Sequence, residues 1–145
     1  MENSILDVMV NQHALLETLF SAFKDEVKEN LEEAKPFLSE LVWESRKHFL
    51  VEEGAIFDYL PWSDPEISGM IDHIKKEHVI MIDRLGKMQK NLSAIEGEEV
   101  EIFGRLLTGH RKFEEERLYP VLDKRLTSGQ REVIIKRADE IPIKK

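Results

Sequence analysis

Two segments set a histidine four residues ahead of a glutamate: His48 with Glu52 in HFLVEEGAIFDYL, and His110 with Glu114 in HRKFEEERLYPVL. Each glutamate is followed by a second, and then by an apolar stretch. On an α-helix, residues i and i+4 stack on one face, one turn apart. An imidazole nitrogen and a carboxylate can then aim at one point, and the arrangement occurs twice. Those donors at that spacing suit a metal ion. Cysteine is absent, which excludes thiolate ligands, disulfides and a cysteine nucleophile. A metal must therefore be held through nitrogen and oxygen. Nothing resembles a Ser/His/Asp site or a phosphate loop.

The elements that would carry these residues are helical, for the apolar period is close to 3.6 almost throughout. A first segment runs through Leu6, Met9, Leu16, Phe20, Phe23 and Val27, with His13 in the core slot between Met9 and Leu16. Ser4 with Asp7 reads as a capping box, and Asn30 as a left-handed stop. A second helix is expected from near Pro36 to Pro61, with the core series Leu38, Leu41, Ser45, His48, Glu52, Ala55 or Ile56, and Tyr59. After the linker Pro61–Pro65, a third presents Ile71, Ile74, His78, Ile82, Leu85, Met88 and Leu92. A polar break at Asn91–Glu98 leads to a fourth, with Phe103, Leu107, His110, Glu114, Leu118 and Val121. Pro120 is expected to kink or end it. Thr127 or Ser128 caps a short fifth helix through about Ala138, closed by Pro142. The expected fold is all-α: an up-down-up-down four-helix bundle over residues 1–122, with a short fifth helix and tail over 123–145.

In antiparallel neighbours, two residues at one height are equidistant from the turn that joins their helices. Midpoints between successive histidines 13, 48, 78 and 110 fall at 30.5, 63 and 94. Each lies in a break identified independently from Asn, Gly or Pro. His13, His48, His78 and His110 are therefore expected at one level of the bundle.

Four imidazoles and two carboxylates in an apolar layer would be costly if left unpaired. Two dications relieve that cost. Iron or manganese suits such donors well, and zinc acceptably. Four histidines give each ion two nitrogens. If Glu52 and Glu114 both bridge and a hydroxide joins them, an octahedral ion keeps roughly one open position. Leu16, Leu41, Ile82 and Leu107 would keep that position dry.

On these residues the chain resembles the hemerythrin-like, or HHE cation-binding, family. The order His13, His48–Glu52, Glu77–His78, His110–Glu114 follows the family pattern, as do the two Glu-Glu pairs and Leu118-Tyr119-Pro120. The likeness covers about residues 8–122 and implies a non-haem di-iron site with an oxo or hydroxo bridge. It makes His13, His48, His78 and His110 terminal ligands, and Glu52 and Glu114 bridging ones. Oxygen-carrying members have five histidine ligands, two of them one turn apart on the third helix. Here His73 and His78 are five apart, about 140° around the axis, so His73 is expected at the surface. That departure points away from reversible O₂ carriage and toward relatives linked to iron sensing, NO response or iron-centre repair. The repair proteins carry an N-terminal cysteine-containing segment that this sequence lacks.

Composition bounds the rest. The 145 residues, 41% hydrophobic with few Gly and Pro, suffice for one packed domain. A net charge of −8 argues against nucleic acid and anionic membranes as partners. Without a spanning segment or a signal peptide, a cytoplasmic location is expected. Glu53, Glu115 and Glu116 read as solvated or as carboxylates that orient a ligand imidazole, Tyr59 and Trp43 as packing, and Trp62 as a loop residue. The functional expectation is a protein that takes up O₂ or NO for sensing, storage or scavenging, with a redox partner. Alternatives are an enzyme acting on peroxide, NO or ferrous iron, and a metal-free interaction module.

Overall fold

The structure is a computed structural model describing residues 4–59 and 61–141. It is a bundle of helices, with no strand among the described residues. Helix α1 spans Ile5–Val27 and α2 spans Leu31–Val51, continuing through a π-helical turn at Glu52–Phe57. Helix α3 spans Pro65–Lys90 and α4 spans Gly97–Phe113, which passes through a second π-turn at Glu114–Leu118 into α5, Tyr119–Arg125. Helix α6 spans Ser128–Glu140.

Helix starts follow side-chain chemistry. Ser4 Oγ accepts from the Asp7 N–H at 3.0 Å. The remaining amides at that end are held from a distance: buried Asp123 accepts from the Ile5 and Leu6 N–H groups at 2.8 and 3.1 Å. This ties the start of the chain to α5. Asn30 is not a left-handed stop. Its φ is −150°, and its side chain accepts from the Glu33 N–H as the cap of α2. Hence α2 begins at Leu31, and Pro36 lies inside it. Asp64 caps α3, with Pro65 in the first turn. Thr127 and Gln130 form a reciprocal capping box on α6, which runs to Glu140. Pro142 lies outside the described residues.

Pro120 does not end its helix. The π-turn immediately ahead of it absorbs the irregularity and the chain continues to Arg125. Gly104 permits a close approach of α4 to α1, since a Cβ there would stand 2.9 Å from Phe20.

Two apolar cores lie on either side of the histidine level. One gathers Leu16, Phe23, Leu38, Leu41, Met81, Leu85, Phe103 and Leu107, among others. The other gathers Ile5, Met9, Ile56, Phe57, Ile67, Ile74, Leu118, Tyr119 and Ile134. Residues following His13 and His78 thus share a core with residues preceding His48 and His110. The second core shows the reverse.

Candidate metal centre

His13, His48, Glu52, His78, His110 and Glu114 are all buried, at 0–3% exposure, and converge between the two cores. They come together as two groups. Ligand-type atoms of His13, His48, Glu52 and Glu114 lie within 4.8 Å of one another, and so do those of Glu52, His78, His110 and Glu114. Both glutamates belong to both groups. The rings pair accordingly, His13 with His48 at 4.8 Å between centroids and His78 with His110 at 5.0 Å.

Each imidazole is fixed from outside by a residue of a neighbouring helical segment. His48 Nδ1 lies 2.6 Å from Gln12 Oε1, and His78 Nδ1 lies 2.7 Å from Glu53. His110 Nδ1 lies 2.8 Å from Glu77, and His13 Nδ1 lies 2.6 Å from Glu115. The contacts close a ring, each helical segment holding the histidine of the next. An Nδ1 that faces an oxygen acceptor can only donate, so in a neutral ring the Nε2 lone pair is the one directed inward. Glu53 and Glu115 thus take the second of the two roles open to them from sequence, orienting an imidazole, whereas Glu116 makes no such contact and is exposed.

Inside the layer His13 Nε2 meets Glu114 Oε1 at 3.0 Å, while the other donors face one another without hydrogen-bonding. His78 Nε2 lies 2.9 Å from Glu52 Oε1, His48 Nε2 lies 3.8 Å from it, and His110 Nε2 lies 3.1 Å from Glu114 Oε1. Even so, the Nε2 atoms of His48, His78 and His110 and both Glu52 oxygens have no hydrogen-bond partner among the described residues. The separations are short, yet no hydrogen bonds form, and the donor atoms gather into the two groups of four. Buried, unpaired nitrogen and oxygen donors are costly unless a cation takes them. The residues present therefore fit a pair of metal ions.

Glu114 is better supported than Glu52. Its Oε1 lies 3.0 Å from His13 Nε2, and its Oε2 accepts from the Tyr119 hydroxyl at 3.0 Å. Tyr119 is fully buried and stacks near His13. Electrostatics divide the pair. Burial and the adjacent Glu114 charge push the Glu52 pKa well above the carboxylate range. Burial would raise Glu114 too, but contacts with Glu52, His110 and His13 outweigh it and hold this group ionised. His110 also resists the effect of burial: Glu114 and Glu77 raise it to about 9. Burial lowers His48 to about 4 and also depresses His78.

His73 stays outside the layer. It is exposed, 3.6 Å from Glu77 and against the Phe113 ring. Tyr59 is half-buried against the second core. Sequence reasoning passed over Gln12, Glu77 and Tyr119 as partners of the layer. A signal was available: Gln12, Glu53, Glu77 and Glu115 each stand next to an inner residue, at 13, 52, 78 and 114. One step along a helix rotates 100°, onto the flank that meets the neighbour.

Among the described residues no helix is long and apolar enough to cross a membrane. The family described as Hemerythrin HHE cation binding domain matches residues 4–122. No curated protein and no solved structure matches the chain.

Proposed function

From the premise that the chain belongs to the hemerythrin HHE cation-binding domain family, we propose that it is a carboxylate-bridged di-iron protein that takes up a small ligand such as O₂ or NO. His13, His48, His78 and His110 are the terminal ligands in this reading, and Glu52 and Glu114 bridge. The helices run up-down-up-down, an arrangement supported by the alternating membership of the two cores. What supports the proposal is the outward engagement of every Nδ1 together with the unpaired inward atoms of His48, Glu52, His78 and His110. That combination leaves those inward atoms for a cation to take.

When bound, an iron pair supplies open coordination positions and one-electron redox chemistry. The chain contributes the remainder. Gln12, Glu53, Glu77 and Glu115 fix the ring orientations. Tyr119 fixes Glu114. Leu16, Leu41 and Leu107 exclude water from one side, while Met9, Ile74 and Leu118 do so from the other. A groove of about 590 Å³ between α2 and α3, lined by Phe49, Leu50, Val79 and Ile82, reaches His78 and Glu53. Its apolar walls suit the approach of a small uncharged molecule.

Elemental analysis of protein purified without added metal is expected to find about two irons per chain. Mixing the anaerobically reduced protein with O₂ or NO should then give a stable, reversible absorption band. Irreversible oxidation with continued consumption would assign the same centre to an enzyme. Absence of metal would leave a helical interaction module.

A further inference from the structure

The two cores meet the histidine layer differently. Glu52 and Glu114 follow their histidines by one turn, on the side of the core that holds Ile56, Leu118 and Tyr119. The opposite side is lined by residues one turn before His48 and His110, and one turn after His13 and His78: Leu16, Ser45, Met81 and Leu107. The two carboxylates therefore leave the side of Leu16, Ser45, Met81 and Leu107 free of ligand side chains.

On that side stands one buried hydroxyl. Ser45 is 0% exposed, and its Oγ has no hydrogen-bond partner among the described residues. A helical serine ordinarily relieves itself on the carbonyl one turn back, here that of Leu41. Ser45 forgoes that bond. At the corresponding position before His110 the chain has Leu107, so the fold does not need a hydroxyl there. Helical side chains lean toward the N-terminus, which brings the His48 ring back over the turn that carries Ser45.

We propose that Ser45 is the hydrogen-bond donor to the small ligand taken up at the centre, on the face away from the two carboxylates; this rests on the di-iron reading above. The ligand class is a diatomic or triatomic species with a terminal acceptor atom. An apolar pocket would bind it by fit alone. The hydroxyl adds preference for a ligand that carries partial negative charge on its outer atom.

The test uses iron-loaded protein and azide. In the oxidised wild type, azide affinity is read from its visible band and its environment from its infrared stretch. Ser45→Ala is expected to keep the iron content, weaken azide binding roughly 3- to 10-fold and shift the stretch. Ser45→Thr should restore tight binding. The metal-free Ser45→Ala protein should melt above the wild type, because an unsatisfied buried hydroxyl has been removed. Unchanged azide affinity and stretch would overturn the assignment, as would lost iron or a lower melting temperature in the alanine variant, either of which would mark Ser45 as structural. Failure of the di-iron reading itself would be visible in the unsubstituted protein, which would hold no iron or take up no azide.

Discussion

The segments beginning at His48 and His110 share the His-x-x-x-Glu-Glu pattern and are unequal in the fold. Both place a glutamate at i+4, both break into a π-turn there, and both use the following glutamate to hold a histidine of another helix. Among their differences, the one that bears on the inner glutamates is the fifth residue after each, Phe57 in one and Tyr119 in the other. Tyr119 gives Glu114 a hydrogen bond from outside the layer. Neither oxygen of Glu52 has a hydrogen-bond partner among the described residues, although His78 Nε2 lies 2.9 Å from one of them. One carboxylate is thus built in as an anion within a completed network. The other is held neutral by burial until a cation engages it. A layer designed only for metal-free stability would satisfy both.

The sharpest way to break this contrast is to neutralise each carboxylate in turn in the metal-free protein. Glu114→Gln should cost about 3 kcal/mol or more, since it removes the counter-charge of a buried imidazolium. Glu52→Gln should change stability by less than about 1 kcal/mol, because the native group is already uncharged there. Chemical denaturation reads both values, and equal losses would mean the two sites are equivalent. Metal analysis should show the two variants alike, each losing the dinuclear centre.

Proton release offers a second test. Metal uptake must expel the His110 proton and the Glu52 proton, so loading the centre near neutral pH should release about two protons. Affinity should therefore rise with pH. The stability that His110 adds to the metal-free protein has the opposite sign. A pKa raised from 6.5 to about 9 contributes fully below 6.5 and is lost as pH climbs to about 9. His48, lowered to about 4, contributes above 6.5 and loses that contribution as pH falls toward 4. Melting curves of the metal-free protein should fall between pH 6.5 and 9, and those of the loaded protein should not.

Exchanging the fifth residue after the inner glutamate gives a smaller effect. Tyr119→Phe makes the second segment resemble the first there, and should cost about 1.5–3 kcal/mol, the range for a hydrogen bond to a charged group. The iron pair should remain, with an altered absorption spectrum as Glu114 loses its outer restraint. Retention of both spectrum and stability would show that the phenol is incidental.

Much of this was legible in the sequence, and the reason is geometric. Inner ligands repeat on the apolar stripe, so His13, His48, Glu52, His78, His110 and Glu114 could be aligned from turn positions alone, and the structure brings all six into one layer. Helix starts were less legible. Asn30 takes φ −150° because its side chain caps α2, a competition that a residue's turn preference does not resolve. The ring of Nδ1 partners was only partly legible, Glu53 and Glu115 being open to that role while Gln12 and Glu77 were passed over. Glu53, Glu77 and Glu115 sit beside the stripe, where a charged residue usually faces water, and only the packing of two helices reveals which of them faces an imidazole.

The least of the expected effects concerns the residue directly after each histidine. Phe49 stacks on His78 at 4.0 Å and helps line the apolar groove. Its counterpart Arg111 closes the other side, 2.6 Å from Glu17 and 3.3 Å from Glu115. Glu115 in turn holds His13. Arg111 and Glu17 are partly exposed, so solvent screens the pair and Arg111→Met should cost less than about 1 kcal/mol. The loss should shrink further as salt is added. Because Glu115 keeps its contact with His13, iron content should be unaffected. A loss of iron in this variant would mean that the guanidinium, rather than the carboxylate alone, sets the His13 ring, and the two sides of the layer would then depend on charge to a similar degree.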